Sequence, residues 1–474
     1  MRYFVCCANQ KATKSTVKAS ILRNLTKIVT PKLISRLASK VKFNVRSTGQ
    51  LTGLDFLRML ITQASSGREM TYSGLNTALS AIRSGIKLSN QALSKYFYKQ
   101  SSVDFIRSVY EKVFLYQREK LLQDITKDRS EVLDCFNRIL IQDSTFCTLN
   151  EKLSTKYKGS GGSASSSSLK IDVIHELKTA TLLRTKISEG KYSDMHSSAL
   201  IMDEVEEGDL VLRDLGYSKI DVFIQLMSRK VCFISRLHSC VKVYLNSEDK
   251  DSVDLGNYLK KKCKDLSIID KQVYIGKQKA KVRLIAYKVP EDVASERRRK
   301  ARRKGACQGW SPTQNHLNLC DYVILVTNIP EEMISGAAIG TIYRLRWNIE
   351  LLFKTWKSQL NLQINVLKGH KQARIECFVY TILLLGLLTT LVHGWMKRTG
   401  LDGLGKEISL AKLTQWLVST GSYMKLLWGS ISKLIESIEN DLRNIRKQKR
   451  RRKTTLERVV FLEPYEEKFM TTNF

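Results

Sequence analysis

The longest apolar stretch of the chain, at residues 377–398 (CFVYTILLLGLLTTLVHGWMKR), constrains the fold more than any other feature. It is nearly long enough to span a bilayer. However, it stands alone in the sequence and contains threonines and His393. A helix that is buried on all sides in a large core has the same composition. We therefore predict the central helix of a large core here, and we expect no membrane partner.

The net charge narrows the choice of partners. The 474-residue chain carries 79 Lys and Arg against 45 Asp and Glu, a formal charge of +34. Such an excess repels itself in a compact state, so a polyanionic partner is expected, and nucleic acid is favoured over a membrane surface. Ten scattered cysteines in a chain of this length indicate reduced thiols and a cytoplasmic location. A signal peptide is not expected, because residues 1–15 lack a convincing apolar segment and cleavage site.

The first third of the chain has a helical pattern. Residues 1–130 carry apolar side chains at three- and four-residue spacing, with Thr, Ser or Asn near the expected helix starts. We predict a helical domain that binds DNA. A helix-turn-helix arrangement and a plain helical bundle fit this pattern equally well.

The pattern then changes to that of an α/β core. Residues 131–239 are the expected first part of this core. Apolar strands are expected there at 137–149, in a hairpin after the Gly/Ser tract 159–168, in GDLVLRDLGY and in KVCFISRL. Residues 240–320 resemble an inserted β-rich segment with a cationic arm. The core resumes in residues 321–400. The last predicted region, a helical and basic one, covers residues 401–474.

A long helical pattern at residues 338–364 carries a polar stripe. At 100° per residue, four side chains fall within about 60° of one another. They are Tyr343, Arg346, Glu350 and Lys357. One acid among two cations and a phenol suits a site for phosphates, where the acid holds a metal ion. A solvated face with ordinary ion pairs is the alternative.

Two strand-borne aspartates favour the site over the solvated face. Asp143 lies within an apolar strand and Asp214 follows another, where a carboxylate is costly unless it is paired or bound to metal. Together with Glu350 they supply three acidic ligands, enough to hold two Mg²⁺ ions for displacement at phosphorus. The residues alone therefore point to a metal-dependent nuclease or a strand transferase.

The motifs resemble those of a known family. The segment YRLRWNIELLFKTWK fits the Y-x2-R-x3-E-x6-K signature of the fourth large family of bacterial insertion-sequence transposases, the DDE type. IQDST and LVLRDLGYSKID are similar to the segments that carry the first and second catalytic Asp in that family. The Ser/Gly tract and the ILVTNIP strand also match in order, so the resemblance covers about residues 135–400.

This resemblance implies an α/β fold with a ribonuclease-H-like core, interrupted by a β-rich insertion. It implies a catalytic and metal-binding triad of Asp143, Asp214 and Glu350, using two Mg²⁺ or Mn²⁺ ions. Cut-and-paste transposition through a DNA hairpin, on terminal inverted repeats and target DNA within a homodimer, is the implied activity. The residues implied to bind DNA are Tyr343, Arg346, Lys357 and Trp347.

Some features keep two interpretations. Trp347 and Trp310 are candidates to stack on a flipped base, and burial in the core is the ordinary role for each. The cationic runs 296–304 and 447–453 are phosphate contacts or solvated arms. A metal cluster at Cys307, His316 and Cys320 is not favoured, because no second ligand pair follows. The alternatives for the whole chain are a nuclease without strand transfer, and a catalytically inactive DNA-binding relative or repressor of transposition.

Overall fold

The computed structural model describes residues 20–43, 51–86, 88–122, 131–161, 165–263, 268–367, 369–402, 406–448 and 454–460. The predictions for residues 1–15, and for most of the cationic run 447–453, lie outside these ranges. The chain divides into two compact units. Unit 1 comprises residues 1–126, 144–192 and 348–450, and unit 2 comprises residues 127–143, 193–347 and 451–474.

Unit 1 is mainly helical. Its helices before the first strand are α1 (Ser20–Ile28), α2 (Pro31–Lys40), α3 (Gly53–Ala64), α4 (Tyr72–Ile82), α5 (Asn90–Tyr96) and α6 (Gln100–Leu122). Several begin at a Ser or Thr that accepts a hydrogen bond from the first turn, as Thr52 does from the Asp55 N–H in a capping box. The six helices in the described part of residues 20–122 agree with the predicted helical pattern. Their assignment as a DNA-binding domain stays a prediction.

Unit 2 holds most of the strands. In chain order its elements are α7 (Glu131–Asp134), β1 (Ile139–Thr148, which continues into unit 1), α8 (Asp194–Ser197), β4 (Leu210–Arg213), α9 (Ile220–Ser228), β5 (Cys232–Arg236), β6 (Val243–Tyr244), α10 (Leu255–Lys262), β7 (Ile268–Ile275), β8 (Ala280–Lys288), α11 (Glu291–Cys307), α12 (Gln314–Leu319), β9 (Tyr322–Thr327) and α13 (Gly336–Tyr343). Strands β2 (Ser168–Glu176) and β3 (Thr181–Glu189) belong to unit 1 and form the predicted antiparallel hairpin.

The unit 2 sheet has the strand order β1-β4-β5-β9-β8-β7-β6. Strands β1, β4 and β5 run parallel, and β9, β8 and β7 continue the sheet antiparallel. Parallel pairs need crossover connections, here supplied by the hairpin β2–β3 with α8 and by α9. This mixed α/β architecture with a large sheet is consistent with a ribonuclease-H-like fold.

The segment predicted as a β-rich insertion has mixed structure. Residues 240–320 contain strands β6, β7 and β8, and these strands extend the sheet rather than standing apart from it. The same segment contains helices α10, α11 and α12, of which α11 has 17 residues. Lys, Arg and Glu are good helix formers, so the cationic run forms a helix rather than an arm. The interpretation as an inserted domain stays a prediction.

The helices after the core strands complete the chain. They are α14 (Trp347–Ser358), α15 (Leu362–Leu367), α16 (Gln372–Thr399), α17 (Leu410–Ser419), α18 (Ser422–Trp428), α19 (Ile431–Asn440), α20 (Leu442–Ile445) and, in unit 2, α21 (Thr455–Val460). Helix α16 contains the long apolar stretch, and 94% of its most apolar 18-residue segment is buried within the protein. The interpretation as a core helix is therefore confirmed.

Candidate active site

Two of the predicted catalytic residues stand side by side in unit 2. Strands β1 and β4 pair in parallel, with Gln142 opposite Arg213, and the residue that follows each of these in the chain is an aspartate. Adjacent strands lie about 4.8 Å apart, so Asp143 and Asp214 emerge from neighbouring positions. Both side chains are half-buried. The sheet thus brings together two carboxylates that are 71 residues apart in the sequence (214 − 143).

Both carboxylates point to the same face of the sheet. The side chains of Gln142 and Arg213 are hydrogen-bonded to each other, so they share one face. Successive residues of a strand alternate between faces, and Asp214 keeps an extended backbone (φ −82°, ψ 173°) after β4 ends. Asp143 and Asp214 therefore share the opposite face.

Two predicted DNA contacts hold these carboxylates. Arg346 Nη1 donates to Asp143 Oδ2 at 3.1 Å, and the Tyr343 hydroxyl donates to Asp214 Oδ1 at 3.3 Å. The Arg346 guanidinium lies 6.0 Å from the Tyr343 ring centre. Burial raises the pKa of the Tyr343 phenol, and the neighbouring Asp214 charge raises it further. Tyr343 therefore keeps its proton and acts as a donor.

The helix that carries the signature is interrupted, so the predicted continuous helix over residues 338–364 is wrong. Tyr343 ends α13, Arg346 lies in a 3₁₀ turn at Arg344–Arg346, and α14 begins at Trp347. A 3₁₀ turn has three residues per turn rather than the 3.6 of an α-helix, so the spacing argument for one α-helical face does not apply across it. The helical pattern breaks again before residue 364 at Asn361, which has a φ of 54°.

Glu350 and Lys357 remain on one face of α14. They are seven residues apart, close to two full turns. Glu350 is half-buried in the first turn, where the helix dipole favours a negative charge. Burial raises the pKa of the Cys147 thiol on β1 to about 11, and the positive charge of Lys357 opposes that rise. Lys357 therefore lies close enough to β1 to act on Cys147. Cys147 is four residues beyond Asp143 on the same strand.

The two tryptophans are exposed, so the core role considered for each is wrong. Trp347 has 37% of its surface accessible at the start of α14. Trp310 has 42% accessible, beyond the end of α11. A stacking role therefore stays open to both.

The chemistry of the donors fits a divalent cation. Asp143 and Asp214 present carboxylate oxygens, the ligands that Mg²⁺ and Mn²⁺ prefer. Within the described residues, no group of three or more His, Cys, Asp or Glu side chains is gathered closely enough to hold a metal ion. The metal-binding roles predicted for residues of this site therefore stay predictions.

A buried polar network behind the two aspartates was missed by sequence reasoning. Arg213 is fully buried, and its Nη2 donates to Gln142 Oε1 (3.0 Å), the Ser198 carbonyl (2.7 Å) and Ser198 Oγ (2.6 Å). Gln142 Nε2 donates to the Ser197 carbonyl at 2.9 Å. Each strand thus carries a polar side chain immediately before its aspartate, in the segments ILIQD and LVLRD. That repeated pattern was the available signal.

Comparison with known proteins agrees with this geometry. Residues 134–388 match the family model described as "Transposase DDE domain". The chain is 30% identical over 367 residues to the transposase of insertion sequence element IS231C from Bacillus thuringiensis subsp. berliner, covering 74% of this chain and 75% of that protein. It is also 30% identical over 396 residues to the transposase of IS1151 from Clostridium perfringens, covering 80% and 81%. The chain belongs to the DDE transposase family of insertion sequences.

Proposed function

We propose that this DDE transposase moves its insertion sequence by a cut-and-paste reaction. The ends are cleaved through a DNA hairpin and are then joined to target DNA. The substrates are the terminal inverted repeats and target DNA, bound in a homodimeric complex in the cytoplasm. DDE transposases generally use divalent metal ions. The metal here is Mg²⁺ or Mn²⁺, with two ions in each active site.

The observation that carries the proposal is the pairing of Asp143 and Asp214 on one face of the sheet. With Glu350 from α14 they are the proposed catalytic and metal-binding residues. When bound, the metal supplies activation of an attacking water or 3′-hydroxyl and stabilisation of the leaving oxygen. The carboxylates contribute oxygen ligands at fixed positions. Their negative charge is partly neutralised by the cationic side chains of this basic protein.

The signature residues have a second proposed role in binding DNA. Arg346 and Tyr343 donate to the two aspartates in the DNA-free protein. Both side chains can donate hydrogen bonds to phosphate oxygens as well as to carboxylate oxygens. We propose that they exchange carboxylate for phosphate when a transposon end binds, which frees the aspartates for metal. Lys357 adds a second positively charged contact, and the exposed Trp347 stacks on an unpaired base.

The test uses the purified full-length chain, labelled paired-end DNA and Mg²⁺. We expect end cleavage and joined products from the wild type, and neither from Asp143→Asn, Asp214→Asn or Glu350→Gln. The matched control is Asp251→Asn, an exposed acid in unit 2 that should leave cleavage unchanged. Cleavage retained by any of the three variants would remove that residue from the triad.

The same assay separates the alternatives. Cleavage without joined products would identify a metal-dependent nuclease. DNA binding without any metal-dependent cleavage would identify an inactive relative or a repressor of transposition. A labelled product that runs as a covalently closed end would support the hairpin step, and its absence at all times in an active reaction would exclude it.

A further inference from the structure

Helix α11 (Glu291–Cys307) carries a concentration of positive charge that the proposed active site does not use. Its sequence, EDVASERRRKARRKGAC, has seven Lys and Arg and three Asp and Glu, a net charge of +4 (7 − 3). All seven cations lie between residues 297 and 304. A helix of this length is about 26 Å long at 1.5 Å per residue.

One side of α11 is fixed to unit 2. Val293 and Ala294 are buried near its start. Arg297 Nη1 donates to the Tyr322 carbonyl at 3.2 Å, at the beginning of β9. Arg298 forms ion pairs with Asp321 and with Glu291. The helix is therefore held on the folded unit, and the interpretation as a solvated arm does not apply to it.

The other side of α11 is exposed and only partly neutralised. We call it the α11 cationic face; its members are Arg299, Lys300, Arg302, Arg303 and Lys304. The Arg299 side chain is 73% accessible. Glu296 pairs with Arg299 at 2.7 Å and with Lys300 at 3.9 Å. For Arg302, Arg303 and Lys304, no acidic partner is found among the described residues.

We propose that the α11 cationic face binds the sugar–phosphate backbone of double-stranded DNA without reading base sequence. The proposal rests on DNA being the substrate of the proposed function, and it assigns a surface outside the active site. Arg299, Arg302 and Arg303 have i, i+3 and i+4 spacing, so they share one side of the helix. Each guanidinium group can donate two parallel hydrogen bonds to the oxygens of one phosphate.

A membrane surface fits this face less well. An interfacial helix needs an apolar side to insert beneath the headgroups. The apolar side chains near the start of α11, Val293 and Ala294, are already buried against the protein. The one residue between the cations is Ala301, whose side chain offers little apolar area. Charge complementarity alone then selects the partner, and duplex DNA presents a dense row of negative charges.

The experiment measures how DNA binding depends on salt. The full-length wild type and the double variant Arg302→Gln, Arg303→Gln are titrated with a labelled duplex of arbitrary sequence, without divalent cation. Glutamine keeps a good helix propensity, and far-UV circular dichroism checks that helix content is retained. Loss of two phosphate contacts should lower the slope of log K against log salt by about 1.8. Across a fourfold rise in salt, the wild type should then lose about 12-fold more affinity than the variant.

The matched control is the double variant Lys277→Gln, Lys281→Gln, which makes the same change in net charge. Both lysines are exposed near the β7–β8 turn, and Lys281 is seven residues before Lys288, the last residue of β8. That spacing puts them roughly 23 Å from the start of α11 along the strand. We expect the control to keep the wild-type slope.

Several results would overturn the proposal. Equal slopes for the α11 variant and the wild type would show that the face makes no phosphate contact. If the slope of log K against log salt fell equally in the α11 variant and in the control, the effect would come from net charge in general. If the α11 variant bound phosphatidylserine vesicles more weakly than the wild type and bound DNA equally well, the partner of the α11 cationic face would be a membrane surface. Because no metal is present, these outcomes do not depend on whether the protein cleaves DNA.

Discussion

The buried Arg213 behind the two aspartates predicts a separation of stability from activity. We choose Arg213→Met, because methionine has a similar length and adapts to irregular space in a core. The variant removes a buried charge and the hydrogen bonds to Gln142 and Ser198. It alters neither Asp143 nor Asp214 chemically, since both lie on the opposite face of the sheet.

The terms in the stability change nearly cancel. Burial lowers the pKa of Arg213 from 12.5 to about 9, and the neighbouring Tyr217 opposes that shift. A pKa lowered to about 9 corresponds to a cost on the order of 5 kcal/mol for keeping the charge buried. Nη2 has two protons, so it makes about two full hydrogen bonds, each contributing about 1.5–3 kcal/mol. We therefore expect the free energy of unfolding to change by less than about 2 kcal/mol.

Activity should fall much more. Arg213 joins β4 to Gln142 on β1 and to the turn at Ser198, and these contacts set the spacing of the strands at the aspartates. A misplacement of catalytic groups by about 1 Å costs about 100-fold in rate. We expect end cleavage to drop by about that factor. The Mn²⁺ concentration that gives half of the maximal thermal shift should rise, which a general loss of stability would not produce.

The matched control is Arg283→Met. Arg283 is also buried, but its Nε donates to Asp270 at 2.6 Å and its Nη1 donates to the carbonyls of Ile329 and Ile334. Removal of one partner of a buried ion pair costs about 3–5 kcal/mol, and urea unfolding should show this difference between the two variants. Wild-type cleavage by Arg213→Met would refute the positioning role. A loss of more than about 4 kcal/mol would refute the argument about the cost of burial.

Three further predictions address other features. Arg346→Gln removes the ion pair with Asp143, so the DNA-free variant should bind Mn²⁺ more tightly in a thermal-shift titration; unchanged binding would exclude competition between Arg346 and metal. Burial lowers the pKa of His175 to about 3, so stability should be complete above pH 6.5 and fall by about 2 kcal/mol at pH 5. His175→Gln should flatten this dependence in urea titrations, and an unaltered slope would contradict the assignment. Gly386→Ala would put a Cβ 2.3 Å from the Trp356 indole nitrogen, so we expect the unfolding free energy to fall by about 1–3 kcal/mol; an unchanged urea midpoint would show that Trp356 can move.

The sequence was sufficient for features that depend on local composition. A carboxylate that interrupts or ends an apolar strand is costly unless it has a partner, and Asp143 and Asp214 were found on that basis. The long apolar stretch could be assigned to a core helix because it stands alone in a very basic chain. The roles of the triad are still predictions, although the sheet pairs two of its members.

Features that depend on tertiary contacts could not be predicted. The partner of Gln142 lies 71 residues away at Arg213, and only strand pairing brings them together. The 3₁₀ turn at Arg344–Arg346 has no Gly or Pro to announce it, and its Arg346 is held by Asp143 from a distant strand. The cationic run was ambiguous because its anchoring pairs, such as Arg298 with Asp321, are also distant in sequence.

The position of β9 has a consequence for how the protein is made. This strand lies between β5 and β8, yet Tyr322 is 86 positions after Arg236 at the end of β5 (322 − 236). At about 5–20 residues per second, synthesis of that interval takes roughly 4–17 s. During that time β5 has an unpaired edge, and unpaired edges invite association between chains. A product terminated before residue 322 would keep this edge permanently, so we expect it to aggregate rather than persist as a soluble fragment that competes for transposon ends.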